Sequence, residues 1–184
     1  APLRLSQTTN PLGLGSFAEA RSPSAMLHHP DFSLLLISSL ATDEVFVLNS
    51  RAQEPTERVV ARLRTGDGPK GMVLSGDGRS VFIQNCMDQT IDRFVIGPAV
   101  SGVQAPEASG SYGASALSPQ AERGRSLFYS VDARLSALGL ACSSCHLDGR
   151  EDARVWQLSE GPRQTPMLAG RIDGTAPYNW IGSE

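Results

Sequence analysis

A stretch of this chain repeats itself, and the repeat constrains the fold more than any single residue does. Pro30-Asp31-Phe32-Ser33, followed by Leu35-Leu36-Ile37, aligns with Gly76-Asp77-Gly78-Arg79, followed by Val81-Phe82-Ile83. The offset from Asp31 to Asp77 is 46 residues, and Val45 and Ile91 in the next apolar stretch keep it. Runs rich in Val, Ile, Leu and Phe lie at Ser33–Ser38, Glu44–Leu48, Arg58–Leu63, Gly71–Leu74, Ser80–Asn85 and Thr90–Ile96. Gly66-Asp67-Gly68-Pro69 and Gly76-Asp77-Gly78 punctuate them. Turn residues between strand-length runs predict antiparallel hairpins.

A period of about 40 to 50 residues with four strands per unit is the signature of a β-propeller. Two unrelated meanders are the plainer alternative. The stretch from Gly66 to Arg79 resembles the blades of YVTN-type propellers, which carry a similar Gly-x-x-Pro turn, a short strand and an Asp-Gly turn. That resemblance covers roughly residues 24 to 97 and implies about two blades. Closed propellers have about four to eight, and two blades can neither bury both faces nor close their edges. The expectation is therefore a partial β-propeller over 1–97. Either the chain is a piece of a longer protein, or another chain completes the sheet stack.

Composition changes after residue 97. Pro98, Gly102, Pro106, Gly110 and Gly113 among Ser and Ala predict a linker over 98–116 without regular structure. From Ser118 the pattern turns helical. Ser118 suits an N-cap and Pro119 the first turn. Ala121, Gly124, Leu127 and Phe128 recur at helical spacing and predict a buried stripe, with Gly124 admitting a close neighbour. Arg134 to Leu140 is expected to begin a second helical segment leading into the cysteines.

Cys142-Ser143-Ser144-Cys145-His146 carries the most specific chemistry in the chain. Residues three apart share one face of a helical turn, so both thiols can add to the two vinyl groups of one haem. His146 follows directly and can reach the iron. This spacing reads as c-type haem attachment. A thioredoxin-like Cys-x-x-Cys needs a βαβ setting that the pattern lacks. A zinc site needs four ligands, and outside the motif only Cys86, His28 and His29 remain, all in the strand region. Cys86 reads as a small buried hydrophobe, and His28-His29 as a solvated pair at a strand end. One covalent haem c implies maturation outside the cytoplasm, so a bacterial periplasm or cell surface is expected. The start at Ala1 fits a processed product.

The second axial ligand stays open. No His follows His146, and Met167 is the only Met beyond the motif. Met167 either ligates iron, which suits electron transfer, or fills space beside the ring. Five-coordinate iron is the third option.

Downstream stand Gly149-Arg150, Trp156-Gln157-Leu158, Gly161-Pro162-Arg163-Gln164-Thr165-Pro166-Met167 and Thr175-Ala176-Pro177-Tyr178-Asn179-Trp180. With the Cys-x-x-Cys-His motif, they resemble the first haem domain of the di-haem cytochrome c peroxidase and MauG superfamily. The resemblance covers about residues 116 to 184. It implies a small all-α cytochrome c domain over 117–184, and so an all-β plus all-α chain. It also implies haem contacts from Arg163, Gln164 and Thr165 and an electron relay through Trp180. Three positions depart from the pattern. Trp156 stands about where a distal His is expected, Ile181-Gly182 replaces Asp-Gly, and Asn179 replaces a His.

The expected function is a periplasmic c-type cytochrome that passes electrons to a redox partner protein. An enzymatic alternative makes the chain part of a di-haem peroxidase-like oxidoreductase whose catalytic haem lies elsewhere. A third makes the propeller a docking module that places the cytochrome on a larger complex. A net charge of -3 gives no reason to expect nucleic acid, and no apolar run approaches the roughly 18 residues of a membrane span.

Overall fold

Alternation of aliphatic residues along short runs makes one face of each strand bury while its neighbours point away. In the computed structural model, that alternation builds two packed sheets. The structure describes residues 21–54, 58–132, 134–135, 140–158, 161–170 and 172–176. Contacts divide the chain into two units, 1–127 and 128–184.

The first unit holds both large sheets. Strands β1 (Pro23–His28), β2 (Leu34–Ser39), β3 (Glu44–Asn49), β4 (Val59–Arg64) and the short β8 (Gly102–Gln104) form one, in the order β1-β2-β3-β4-β8. Strands β5 (Pro69–Leu74), β6 (Ser80–Asn85), β7 (Thr90–Val95) and β9 (Ala108–Ser111) form the other, in the order β5-β6-β7-β9. Neighbours are antiparallel, except that β8 runs parallel to β4.

The 46-residue repeat is present in the backbone. Each of β5, β6 and β7 starts and ends 46 residues after β1, β2 and β3 respectively. The first strand of each sheet shifts register at the same place, between Pro23 and Ala25 and between Pro69 and Gly71. Asp43 and Gln89, again one repeat apart, both adopt left-handed turns at φ 54° and 58°.

The core lies between the sheets. Leu34, Leu36, Val45, Val47, Ala61 and Leu63 from the first sheet meet Val81, Ile83, Phe94 and Ile96 from the second. Polar groups bind the two sheets at their margins. Ser24 Oγ donates to the Pro69 carbonyl at 2.8 Å, and the Gly68 N–H donates to Asp43 Oδ1 at 2.9 Å. His29 is fully buried, and its Nε2 bonds the Gly78 carbonyl at 2.8 Å. The expected solvated pair is thus half right. His28 is exposed, while His29 is an inter-sheet link.

Three expectations change. The 98–116 segment carries β8 and β9, because backbone pairing to β4 and β7 holds strands that have little side chain to pack. Helix α1 (Pro119–Tyr129) forms, with the Ala121 N–H donating to Ser118 Oγ at 3.3 Å, but none of its residues is buried. Leu127 is 48% exposed, and a Cβ at Gly124 would meet open space. The half-buried residues of the helix are Glu122, Arg125, Phe128 and Tyr129, and Arg125 Nη2 donates to the Met87 carbonyl at 2.7 Å. That hydrogen bond ties the helix to the β6–β7 turn, and of the expected stripe Phe128 is half-buried while Ala121, Gly124 and Leu127 are exposed.

The second unit is also less helical than expected. Its described residues contain one helical turn, α2 (Cys142–Cys145), a 3-10 turn (Leu147–Gly149), and a hairpin of β10 (Val155–Leu158) with β11 (Gly161–Gln164). Arg134 and Leu135 lie in a turn, and 136–139 fall outside the described residues. Taken together, the described chain is mostly β, with few helices. None of its helices is long and apolar enough to cross a membrane.

Candidate functional site

The cysteine motif forms a single capped turn. Ala141 is buried and extended ahead of it. Its carbonyl accepts from the Ser144 N–H at 2.9 Å, and its N–H donates to Ser144 Oγ at 3.1 Å. The His146 N–H closes the turn on the Cys142 carbonyl at 3.0 Å. Ser143 points inward and is 2% exposed. The inward Ser143 leaves Cys142 exposed and Cys145 half-buried, and both are free thiols. His146 is half-buried, and its Nδ1 is a buried atom with no partner among the described residues.

After the motif the chain reverses. Asp148 and Gly149 take left-handed conformations at φ 52° and 72°. The Gly149 carbonyl then accepts two N–H groups, from Leu168 at 3.0 Å and from Ala169 at 2.8 Å. Those bonds bring the segment bearing Met167 back against the turn that follows His146.

Asp152 organises the rest. Its carboxylate accepts from Trp156 Nε1 at 2.7 Å and from the Arg154 N–H at 3.1 Å. Burial raises its pKa, but hydrogen bonds from the Arg154 N–H, the Trp156 indole and Thr165 outweigh this and hold the carboxyl below its ordinary range. Burial pushes the Cys145 thiol up, helped by the charge of Asp152 and by Cys142. A raised pKa keeps Cys145 as a thiol rather than a reactive thiolate at neutral pH.

The sequence-predicted residues separate accordingly. Cys142, Cys145 and His146 stand together on one turn. Thr165 is 4% exposed and spends its hydroxyl on Asp152. Arg163 is half-buried in β11, opposite Trp156, and its described hydrogen bond is from Nη1 to the Pro162 carbonyl at 3.0 Å. Gln164 is exposed and Met167 half-buried. Trp180 lies outside the described residues. Sequence reasoning missed Asp152. Its signal was the Asp-x-Arg spacing of a side chain that caps a backbone N–H two residues on.

These residues fit a covalently attached haem. Two free thiols sit three apart on one turn, and the adjoining imidazole has a buried nitrogen that lacks a partner among the described residues. A buried ring nitrogen without a hydrogen-bond partner among the described residues is one that a further group could engage. Porphyrin supplies four ligands to its iron, so no protein cage is needed. Among the described residues no group of three or more His, Cys, Asp or Glu could hold a bare metal ion.

No family model matches the chain, and no curated protein matches it. Among solved structures, it is similar to the periplasmic gluconolactonase of Pseudomonas aeruginosa, at 20% identity and a TM-score of 0.41, over 52% of this chain and 28% of that one. It is also similar to the Cps50 (Swd1) β-propeller domain of Myceliophteria thermophila, at 16% identity and a TM-score of 0.35, over 41% of this chain and 22% of that one. The chain thus spans less than a third of either structure, and overlaps this partial carry no argument about activity.

Proposed function

We propose that the protein is a bacterial extracytoplasmic c-type cytochrome. It would carry single electrons to a redox partner through one haem that Cys142 and Cys145 would hold covalently and whose iron His146 would bind. The observation that carries this reading is the turn itself, with two free thiols on it and an adjoining His146 whose Nδ1 has no partner among the described residues. When bound, the haem supplies a one-electron iron couple. The chain's residues hold and surround it. Arg163 is suited to a propionate, because a guanidinium forks onto a carboxylate. Met167 would be the candidate to hold the iron from a second side chain. Asp152 fixes Trp156 and Thr165 beside the motif.

In this reading the first unit is a pair of propeller-like blades, completed by sheets from outside these 184 residues. It serves to dock the cytochrome rather than to catalyse.

The test is a reductive titration of protein matured in a periplasm, followed by extraction with acidified acetone. One electron per chain, with the haem left on the polypeptide, is the expected outcome. A colourless protein, or haem that moves into the acetone, would overturn the reading. Loss of the Met-to-iron charge-transfer band in Met167→Ala would assign the sixth ligand.

A further inference from the structure

The cysteine turn carries two pairs of residues at a spacing of three. Cys142 and Cys145 make one pair, Ser143 and His146 the other. Residues three apart on a helical turn share a face, so the two pairs look in different directions. The thiol pair leaves Cys142 exposed, whereas Ser143 is 2% exposed and the Nδ1 of His146 is a buried atom.

Among the described residues of the second unit, Ser143 Oγ and His146 Nδ1 are the two buried side-chain atoms without a hydrogen-bond partner. The polar groups around them are already spent. Ser144 Oγ accepts from the Ala141 N–H at 3.1 Å. Asp152 accepts from Trp156 Nε1 at 2.7 Å, from the Arg154 N–H at 3.1 Å and from Thr165. Buried polar atoms are rarely left unpaired, because each gave up its bonds to water. Side chains three apart on a helical turn have Cβ atoms about 5–6 Å apart. One water molecule spans such a gap with a hydrogen bond at each end.

We propose that Ser143 is a positioning residue for His146, its hydroxyl holding Nδ1 through one bridging water so that Nε2 is the ring nitrogen presented to the iron. A hydroxyl and a water can each donate or accept. The same bridge therefore serves Nδ1 when it is bare and when it carries a proton. Once Nε2 is committed to a metal, Nδ1 carries the proton and the bridge accepts it. An acceptor there fixes the ring's orientation and makes the imidazole a stronger donor, which favours the ferric state. The redox consequence rests on the haem reading; the Ser143–His146 bridge does not.

The experiment compares the full chain with Ser143→Ala and Ser143→Thr, each matured in a periplasm and poised at the midpoint potential of the wild type. The ratio of ferric to ferrous absorbance should fall about two- to tenfold in Ser143→Ala, the worth of one hydrogen bond, and Ser143→Thr should restore it. An unchanged ratio in the alanine variant, or equal falls in both variants, overturns the proposal. The bridge is read separately in the haem-free chain with its thiols kept reduced, from the 15N resonance of His146 Nδ1 in alkaline buffer. Ser143→Ala should move that resonance towards the value of an unbonded ring nitrogen, and a resonance that stays in place overturns the bridge. That second measurement decides the matter if the threonine variant does not fold. It also decides if the wild type matures without haem, a result that defeats the cytochrome reading and leaves the bridge standing or falling on its own.

Discussion

His29 can be perturbed so as to separate packing from hydrogen bonding where the two sheets join. Its ring is fully buried and stacks on Phe32 with centroids 4.2 Å apart. The Asp31 N–H donates to Nδ1 at 3.1 Å, which leaves Nε2 as the protonated nitrogen that donates to the Gly78 carbonyl at 2.8 Å. His29→Phe keeps a ring against Phe32 but strips both polar groups of their partner. Asp31 is exposed, so water can serve its N–H, and the half-buried Gly78 carbonyl bears most of the loss. One stranded buried group costs about 1–3 kcal/mol. His29→Ala loses the ring as well, and aromatic-to-alanine changes in cores cost about 3–5 kcal/mol. In a unit of this size each kcal/mol lowers the melting temperature by about 2–5 °C. The phenylalanine variant should therefore melt about 5 °C below wild type and the alanine variant about 10–15 °C below. Circular dichroism melts of the full chain at mildly alkaline pH provide the assay. A phenylalanine variant that melts with the wild type would refute the hydrogen-bonded link. Equal losses in both variants would refute the packing contribution.

Three further outcomes follow from the same geometry. Burial, reinforced by Asp67, Asp88 and Glu44, pushes the Asp43 carboxyl above its ordinary value, against the pull of the Gly68 N–H. Its favourable contribution is thus present below the ordinary carboxylate range and lost as pH rises through the raised value. Asp43→Asn should raise the melting temperature at neutral pH, with the gain vanishing in acid; a pH-independent effect would contradict this. Gly68 sits at φ 70°, and a Cβ there would lie 2.7 Å from Met87 Cγ, so Gly68→Ala should cost about 1–3 kcal/mol in denaturant unfolding. For Asp152 the sign reverses. A lowered carboxyl stabilises above the ordinary value and loses this as pH falls through its own. Asp152→Asn should flatten the acid limb of the second unit's stability curve, followed by Trp156 fluorescence, and an unchanged limb would exclude the Trp156–Asp152 bond as its cause.

Sequence and structure agree best where side chains decide the backbone. The runs at Ser80–Asn85 and Glu44–Leu48 were legible because alternating aliphatics bury against a second sheet. Strand β1 escaped because Pro23-Ser24-Ala25-Met26 has no aliphatic run, and the neighbouring β2 supplies its pairing. β8 and β9 escaped for a similar reason. Gly, Ala and Ser read as linker, yet main-chain hydrogen bonds to β4 and β7 hold them. The Leu127 stripe misled because helical spacing shows which residues align, not whether anything covers them. The cysteine turn was legible through spacing alone. Asp152 was not, because its role depends on Trp156 and Thr165 folding back onto it. The pairing of β10 with β11 was hidden by an expectation of helix, although Gly161, at φ 101°, begins the second strand.

The most direct measurement of the central claim is the intact mass of the chain, matured with and without Cys142 and Cys145. The account predicts a gain of about 616 Da, one haem, on the unaltered chain and none on Cys142→Ala/Cys145→Ala. An unmodified mass for the matured chain, or a haem that persists in the double variant, would contradict it.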